Sequence, residues 1–560
     1  MLNFIGTTSP TSNMKRLIQL LLLFCLLYLP VKASAQRATD IVPKPQQVVT
    51  LKQNSVKLDQ QSIIYYAAPY STQASLLKVM LKGQTGLDLS VKPLSKGHKV
   101  KNAIILQHDP AVANRKEMYV LKSGDEVITV KAQDVNGIVY GIQTLLQLVP
   151  LEKKNVYEVE PVKIIDYPQF AYRGMHLDVV RHTFPLQFIK KYIDYLAFHK
   201  FNNFHWHLTD DQGWRIEIKS YPKLNSIGSW RDSTLIGHFF DKPIKYNPKR
   251  YGGFFTQEEV KEVIKYAQVR GINVIPEIDI PGHSRATIAA YPEFSTRPDT
   301  TWNVAYTWGM YNRQNNVLAP HPETFRFLKT VFEEVADLFP SPYIHIGGDE
   351  TSKMWWKASP QAQEFIKKNN LKDEKGLQTY FVRQVAGYLD KKNKKIIGWH
   401  EILEGKLDTT AVVMNWADDK KGIEAAMLKH PVIMTPSFPL YFNQYQSKTK
   451  ADNLQIPGYN PLDAVYNYNP IPAQLQGMPE AKYIMGAQGN VWTEYISTIS
   501  QLEYMVFPRM TALSEALWTD PKRKDFEEFK RRLEQTVIPR YKHWEANYFR
   551  DYANWTMKNK

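Results

Sequence analysis

The sequence predicts an α/β protein: a (β/α)8 barrel preceded by a small α/β domain. Three observations carry this reading. From residue 166 onward, strand-like apolar runs alternate with amphipathic helical stretches, the pattern of a parallel sheet with helical crossovers. There are eight such runs, the number a closed TIM barrel uses. Nearly every run ends at its C-terminal side on polar or aromatic residues, and in a barrel those ends converge on one mouth.

Residues 1–35 read as an export signal. Lys15 and Arg16 precede an apolar core, which is followed by Ala33-Ser34-Ala35. That order of charged, apolar and small residues is the order of a cleaved signal, with Met14 as the expected start and Gln36 as the first mature residue. The apolar core is too short to span a bilayer, so no stable membrane insertion is expected. The only cysteine, Cys25, lies inside it. The mature chain then has neither a disulfide nor a thiolate metal site. The destination implied is periplasmic or secreted, in a bacterium.

Residues 36–165 form the small domain. "NAIILQH" (102–108), "EMYVLKSG" (117–124) and "EVITVKAQ" (126–133) read as strands, and "VNGIVYGIQTLLQLV" (135–149) has helical spacing. No cluster of catalytic residue types lies here, so its role is supporting. The barrel domain, 166–560, supplies the eight strand runs: "YRGMHLDV" (172–179), "NNFHWHLT" (202–209), "NVIPEID" (273–279), "YIHIGGDE" (343–350), "KIIGWHE" (395–401), "AVVMNW" (411–416), "PVIMTPS" (431–437) and "YIMGAQGNVW" (483–492). Helical patterns such as "PLQFIKKYIDYLAFHK" (185–200) and "QEEVKEVIKYAQVRG" (257–271) separate them.

The formal net charge of +16 asks whether nucleic acid is a partner. The lysines are scattered and mixed with acids, as in "KRKDFEEFKRR" (522–532), and no nucleic-acid-binding signature accompanies them. The charge reads as a solvated surface, with no nucleic acid as partner.

The strand ends gather Asp178, His205, His207, Asp210, Glu277, Asp279, Asp349, Glu350, Trp399, Glu401, Trp416, Trp492 and Glu494. Carboxylates do acid and base work, and indole faces stack on sugar rings while drying a pocket. Together they point to glycoside hydrolysis. Ordinary glycosidases flank the scissile bond with two carboxylates. Asp349 and Glu350, as strand neighbours, are expected on opposite sides and suit another division of labour. One protonates the leaving oxygen; the other holds a nucleophile that belongs to the substrate. Burial and the neighbouring charge are expected to raise the acid's pKa.

From about residue 160 to 518 the chain resembles the β-N-acetylhexosaminidases of glycoside hydrolase family 20. The resemblance rests on "YRGMHLDVVRH", "FHWHLTDDQGWRIEI", "PEIDIPGH", "LFPSPYIHIGGDE", "IIGWHEIL", "PSFPLYFNQYQ" and "GAQGNVWTEYI", in family order. The domain at 36–165 resembles the family's accessory N-terminal domain. The resemblance implies an exo-acting, retaining enzyme that releases terminal β-linked N-acetylglucosamine or N-acetylgalactosamine through an oxazolinium, without a cofactor or metal. Its partner would be a glycan with a terminal N-acetylhexosamine. It casts Glu350 as general acid, Asp349 as the group orienting the 2-acetamido group, and Tyr441 as its hydrogen-bond partner. Arg173, helped by Glu494, would grip the distal hydroxyls. Trp399, Trp416 and Trp492 would enclose the acetamide and floor the pocket. Asp210 and His283 would be a polar pair behind the acid.

Two positions depart from the family pattern. Asn443 stands where the family commonly has an aspartate contacting the O4/O6 side of the sugar. Loss of that negative charge is expected to favour tolerance of a 6-sulfate. His400 stands where the family usually has an acid, and it gains no role from the sequence. Two other readings compete. The His-x-His of "HWH" (205–207), with His283 and His345, suits a metal-dependent barrel hydrolase. A non-catalytic glycan-binding barrel would need no proton donor, which the Asp349–Glu350 pair argues against.

Overall fold

The computed structural model describes residues 38–95, 100–112, 115–448 and 454–554. The expected export signal, with Met14 and Cys25, lies outside these residues. The chain builds two layered units, each around its own apolar cluster.

The first unit is a seven-stranded mixed sheet with Gln47–Thr50 at one edge and Ser90–Pro93 at the other. Two helices, α1 (Ser71–Thr85) and α2 (Val135–Leu148), accompany it. The second begins exactly where turn chemistry allows: the Asp134 carboxylate accepts the Gly137 N–H at 2.7 Å, an N-cap.

The second unit is a closed barrel of eight parallel strands. In chain order they are β1 (Tyr172–Asp178), β2 (Asn203–Asp210), β3 (Asn273–Ile278), β4 (Tyr343–His345), β5 (Lys395–Trp399), β6 (Val412–Asn415), β7 (Val432–Met434) and β8 (Ile484–Gly489). Each pairs with the next, and β8 closes on β1. Helices α3 (Leu186–Phe198), α4 (Gln257–Val269), α5 (Pro322–Leu338), α6 (Glu374–Asp390), α7 (Asp419–Met427), α8 (Leu462–Asn467) and α9 (Arg509–Trp518) accompany the strands. After β5 the expected helix is replaced by a single 3-10 stretch, His400–Glu404.

The two-residue period of a strand sorts the side chains. On β2, Phe204, Trp206 and Leu208 join the apolar layer under the helices, while His205 and His207 turn inward. The same alternation sends Met175 and Leu177 outward from β1 and leaves Tyr172 inside. Apolar inward residues (Tyr172, Ile275, Ile397, Met414 and Ile433) fill the lower barrel in a separate cluster, topped by Trp399 and Trp492. The upper interior is polar.

The first unit caps the N-terminal end of the barrel through buried charge pairs. Lys200 Nζ lies 2.9 Å from Asp166, which ends a strand of the first sheet (Val162–Asp166) one residue past the expected boundary, and both side chains are fully buried. Trp518 Nε1 donates to the other oxygen of the same carboxylate at 2.8 Å. Arg173 Nη1 reaches Glu117 at 2.8 Å.

Candidate active site

The site is built on an interior hub, Glu277 of β3. Its carboxylate lies 2.9 Å from His205 Nε2 and 3.1 Å from His345 Nδ1, and it also accepts from His207 Nδ1. Trp399 Nε1 donates to it at 2.9 Å. Burial pushes the Glu277 pKa up, but the three imidazoles outweigh that and hold it well below the usual range. In turn His207 is pushed up to about 10: burial opposes its charge, but Glu277 and Asp210 flank it. His205, penalised by burial and by His345, falls to about 4. One imidazolium therefore shares the hub with a neutral ring.

The network climbs from there to the mouth. His207 Nε2 is 2.8 Å from Asp210 Oδ2, and His283 Nδ1 is 3.0 Å from Asp210 Oδ1. The other nitrogen of His283, Nε2, faces Glu350 at 3.6 Å and Asp349 at 3.7 Å. Burial disfavours the His283 charge, but Asp210 and Asp349 raise its pKa well above the ordinary value. The expected polar pair behind Glu350 is thus assembled.

Asp349 and Glu350 do not belong to a strand. β4 ends at His345, and Gly347 and Gly348 take φ of +66° and +96°. A side chain on Gly347 would overlap the Asp279 carboxylate, whose Oδ1 accepts the Gly348 N–H at 3.1 Å. Glu350 itself has φ +41°. This left-handed turn cancels strand alternation, so the two acids face the same imidazole rather than opposite sides. The expectation that they diverge is corrected accordingly.

The pocket has a volume of about 310 Å3 and is lined by Asp349, Glu350, Trp416, Tyr441, Asn443, Trp492 and Glu494, with Arg181, Asp210 and His283. That is room for one sugar ring at the lower end of ligand-cavity sizes. Tyr441 stands 6.4 Å from Trp492, ring to ring. Trp416 Nε1 donates to Glu401 at 3.1 Å, and the His400 ring stands edge-on to Trp416 at 5.4 Å. His400, which had no role in the sequence, is therefore a prop for this wall. Trp399 is fully buried and stays beneath the pocket, 5.8 Å from Trp492, as part of the floor's support. Asn443 Oδ1 and Glu494 Oε2 are buried without a protein partner.

Arg173 is not in the pocket. Its position next to inward-facing Tyr172, at the start of β1, sends it outward at the opposite end of the barrel. There it pairs with Glu117, donates to the Phe170 and Lys200 carbonyls, and sits 5.1 Å from the Trp518 ring. The pocket arginine is Arg181, three residues beyond β1. Its Nη2 is 2.8 Å from Asp210, its Nε donates to Gln212 at 2.9 Å, and it lies over Trp492 at 5.1 Å. Both arginines stand in the same quoted stretch, "YRGMHLDVVRH". Strand parity and nearness to the C-terminal end single out the second.

The expected direction of the Glu350 shift is also corrected. Burial pushes its pKa up, but the hydrogen bond and charge of His283, with Arg181, leave it below the usual glutamate value. Its side chain keeps 45% of its surface exposed. Asp349 carries the raised value instead, about 6, from burial together with Glu277 and Glu350, against the pull of His283. Glu494 rises to about 7 and Glu401 to about 8, both chiefly by burial. The pocket thus binds protons readily near neutrality.

Among the described residues, two groups place three possible metal donors within 4.8 Å of one another: His176, His205 and Glu277, and Asp210, Asp279 and His283. Glu277 is already shared among three imidazoles and an indole, and Asp210 between two imidazoles and Arg181. The "HWH" histidines are taken up in that network: His207 bonds both Glu277 and Asp210, and His205 pairs with Glu277 and accepts from the Gln488 amide.

Residues 170–521 match the family model described as glycosyl hydrolase family 20, catalytic domain, and residues 38–167 match domain 2 of that family. A β-hexosaminidase of Porphyromonas gingivalis is 40% identical over 511 residues, covering 90% of this chain and 63% of that protein. A β-hexosaminidase of Akkermansia muciniphila is 33% identical over 415 residues, 72% of this chain and 80% of that protein. Among solved structures, a family 20 exo-β-N-acetylglucosaminidase of Vibrio harveyi in complex with N-acetylglucosamine superposes with a TM-score of 0.80 at 32% identity, covering 92% of this chain and 79% of that one. A β-N-acetylhexosaminidase of Bacteroides fragilis gives 0.76 at 30% identity, covering 91% and 96%.

Proposed function

This chain belongs to glycosyl hydrolase family 20, and from that premise we propose that it is an exo-acting, retaining β-N-acetylhexosaminidase. It removes terminal β-linked N-acetylglucosamine or N-acetylgalactosamine from glycans. The observation that carries the reading is the convergence of Asp349 and Glu350 on one imidazole at one wall of a one-sugar pocket. Two acids on the same wall suit a nucleophile supplied by the substrate.

In the reaction, the acetamide oxygen attacks the anomeric carbon as the glycosidic C–O bond breaks. Glu350 gives its proton to the leaving oxygen. Asp349 accepts a hydrogen bond from the acetamide N–H and balances the positive charge that builds on the oxazolinium. Tyr441 meets the acetamide from the facing side, and Trp416 and Trp492 hold its methyl group in a dry cage. Water then attacks the same carbon, Glu350 takes its proton, and the acetamide is restored. Two inversions give net retention. Arg181 and Glu494 hold the distal hydroxyls, and His283 sets the proton affinity of both acids. Proton NMR of the first product tests this: the β-anomer is expected before mutarotation, and α-anomer would refute it.

Asn443 sets the finer preference. An amide where a carboxylate would repel an anion suits a sugar sulfated at the 6-position. The ratio of kcat/KM for 6-sulfated over plain substrate is expected to fall about tenfold in Asn443→Asp, the effect of one partly buried charge. An unchanged ratio would refute this preference alone. The pattern of residues 1–35 supports export to the periplasm or medium. N-terminal sequencing of the exported protein should begin at Gln36.

A further inference from the structure

An arm projects from the barrel mouth between β2 and α4. It is made of two small antiparallel ribbons, Trp230–Arg231 with Tyr251–Gly252 and Thr234–Ile236 with Lys245–Asn247. The arm leans on the loop at 297–316: Leu235 N donates to Tyr306 O at 2.8 Å, and the Tyr246 and Tyr306 rings meet edge-on at 5.0 Å. At its tip His238, Phe239 and Phe240 form a cluster of rings, with centroids 4.6 Å apart for the first pair and 4.1 Å for the second. Phe240 is 62% exposed. The exposed Arg313 lies 5.2 Å and 5.0 Å from the two phenylalanine rings. Lys242 and Lys245 follow in the same exposed stretch.

This surface is continuous with the pocket on two sides. His238 stacks on Tyr495 at 5.4 Å, and Tyr495 is the residue after pocket-lining Glu494. On the other side, Asn312 next to Arg313 accepts the Ser352 hydroxyl at 2.7 Å, two residues beyond Glu350. The loop is also tied to the pocket arginine, because Gln212 accepts from Arg181 Nε and donates to Thr307 O, each at 2.9 Å. The edge beside Glu350 is where a leaving group exits, since that acid protonates it. An exposed aromatic face costs solvation unless a ligand covers it, and sugar C–H faces cover rings well. A guanidinium over those rings pairs with a carboxylate or sulfate.

We propose that Phe239, Phe240 and Arg313 form a leaving-group subsite that holds the sugar ring next to the cleaved bond and selects a ring bearing an acidic group. The proposal rests on the hydrolase reading above. Its test compares three substrates with the same terminal N-acetylglucosamine: one linked to glucose, one to glucuronate, and one to glucose 6-sulfate, with an aryl glycoside as reference. Wild type should turn over the two acidic disaccharides with kcat/KM about tenfold above the neutral one, the worth of one charged hydrogen bond. Arg313→Ala should bring them to the neutral level, chiefly through KM. Phe240→Ala should lower all three disaccharides about threefold, the scale of one ring contact. Arg313→Ala should not move the aryl glycoside by as much as twofold, because that leaving group carries no acid. If only one acidic disaccharide is favoured, that names the acid as carboxylate or sulfate. Equal turnover of acidic and neutral disaccharides, or an Arg313→Ala loss shared by the aryl glycoside, would overturn the proposal. Absence of all turnover would overturn the hydrolase reading instead. Calorimetric binding of the same disaccharides to Glu350→Gln then still reads the preference at Arg313.

Discussion

Two arginines eight residues apart do opposite work. Arg173 is a buried tie between the units, and Arg181 is a ligand of the pocket. Arg173→Met should lower stability by about 3 kcal/mol, the cost of breaking a buried pair, with KM for an aryl glycoside unchanged. Arg181→Met leaves the buried Asp210 and Asp178 without their shared cation, so it should cost a similar amount of stability and, unlike Arg173→Met, also cut kcat/KM about a hundredfold. Melting curves and kinetics on both variants check the assignment; the reverse pattern would undo it. Glu350→Gln should reduce kcat about a hundredfold or more on natural linkages, and far less on aryl glycosides whose leaving groups need no proton. At this scale residue types were legible, since tryptophans and carboxylates at strand ends announced a sugar pocket. Which of two arginines enters it was not, because the choice depends on strand parity and on which end of the barrel each occupies.

At the scale of elements, apolar runs revealed all eight strands because each strand is buried on both faces. Their ends were less legible. The run Tyr343 to Glu350 reads as one strand, yet Gly347 and Gly348 turn it left-handed after His345. The 3-10 stretch after β5 was equally hidden, since in "HEILE" the two apolar residues, Ile402 and Leu403, are adjacent and show no period. The turn at Gly347 is testable. Gly347→Ala places a side chain against Asp279 at a φ that alanine resists, so Asp349 and Glu350 should be displaced. Activity should fall at least tenfold while circular dichroism keeps the native helix content. Full activity in this variant would show that the turn does not set the acids.

For the whole molecule, the buried chain from Glu277 through His207, Asp210 and His283 ties the proton affinity of the mouth to the barrel's interior. Asp349 holds its proton up to about pH 6, whereas Glu350 releases its own below the usual glutamate value. The mechanism proposed above needs the reverse, Glu350 protonated and Asp349 anionic. Both forms carry one proton, so the titration belongs to the pair. Above about pH 6 that proton leaves, and at low pH a second joins. The pH profile of kcat/KM should therefore be a bell with its maximum near about pH 5 and its falling limb near about pH 6. A profile still rising at pH 8 would contradict the pairing. The ties between the units, Lys200 with Asp166 and Arg173 with Glu117, were invisible in sequence because their partners lie far apart in the chain.

The central claim is that the substrate's acetamide is the nucleophile. The most direct measurement is hydrolysis of paired chromogenic β-glycosides, N-acetylglucosaminide and plain glucoside, by the purified protein with and without a chelator. The account predicts cleavage of the acetamido sugar alone, at the same rate in chelator. Equal cleavage of both sugars would make an enzyme carboxylate the nucleophile, and loss of activity in chelator would return the reaction to a metal; either result would contradict the account.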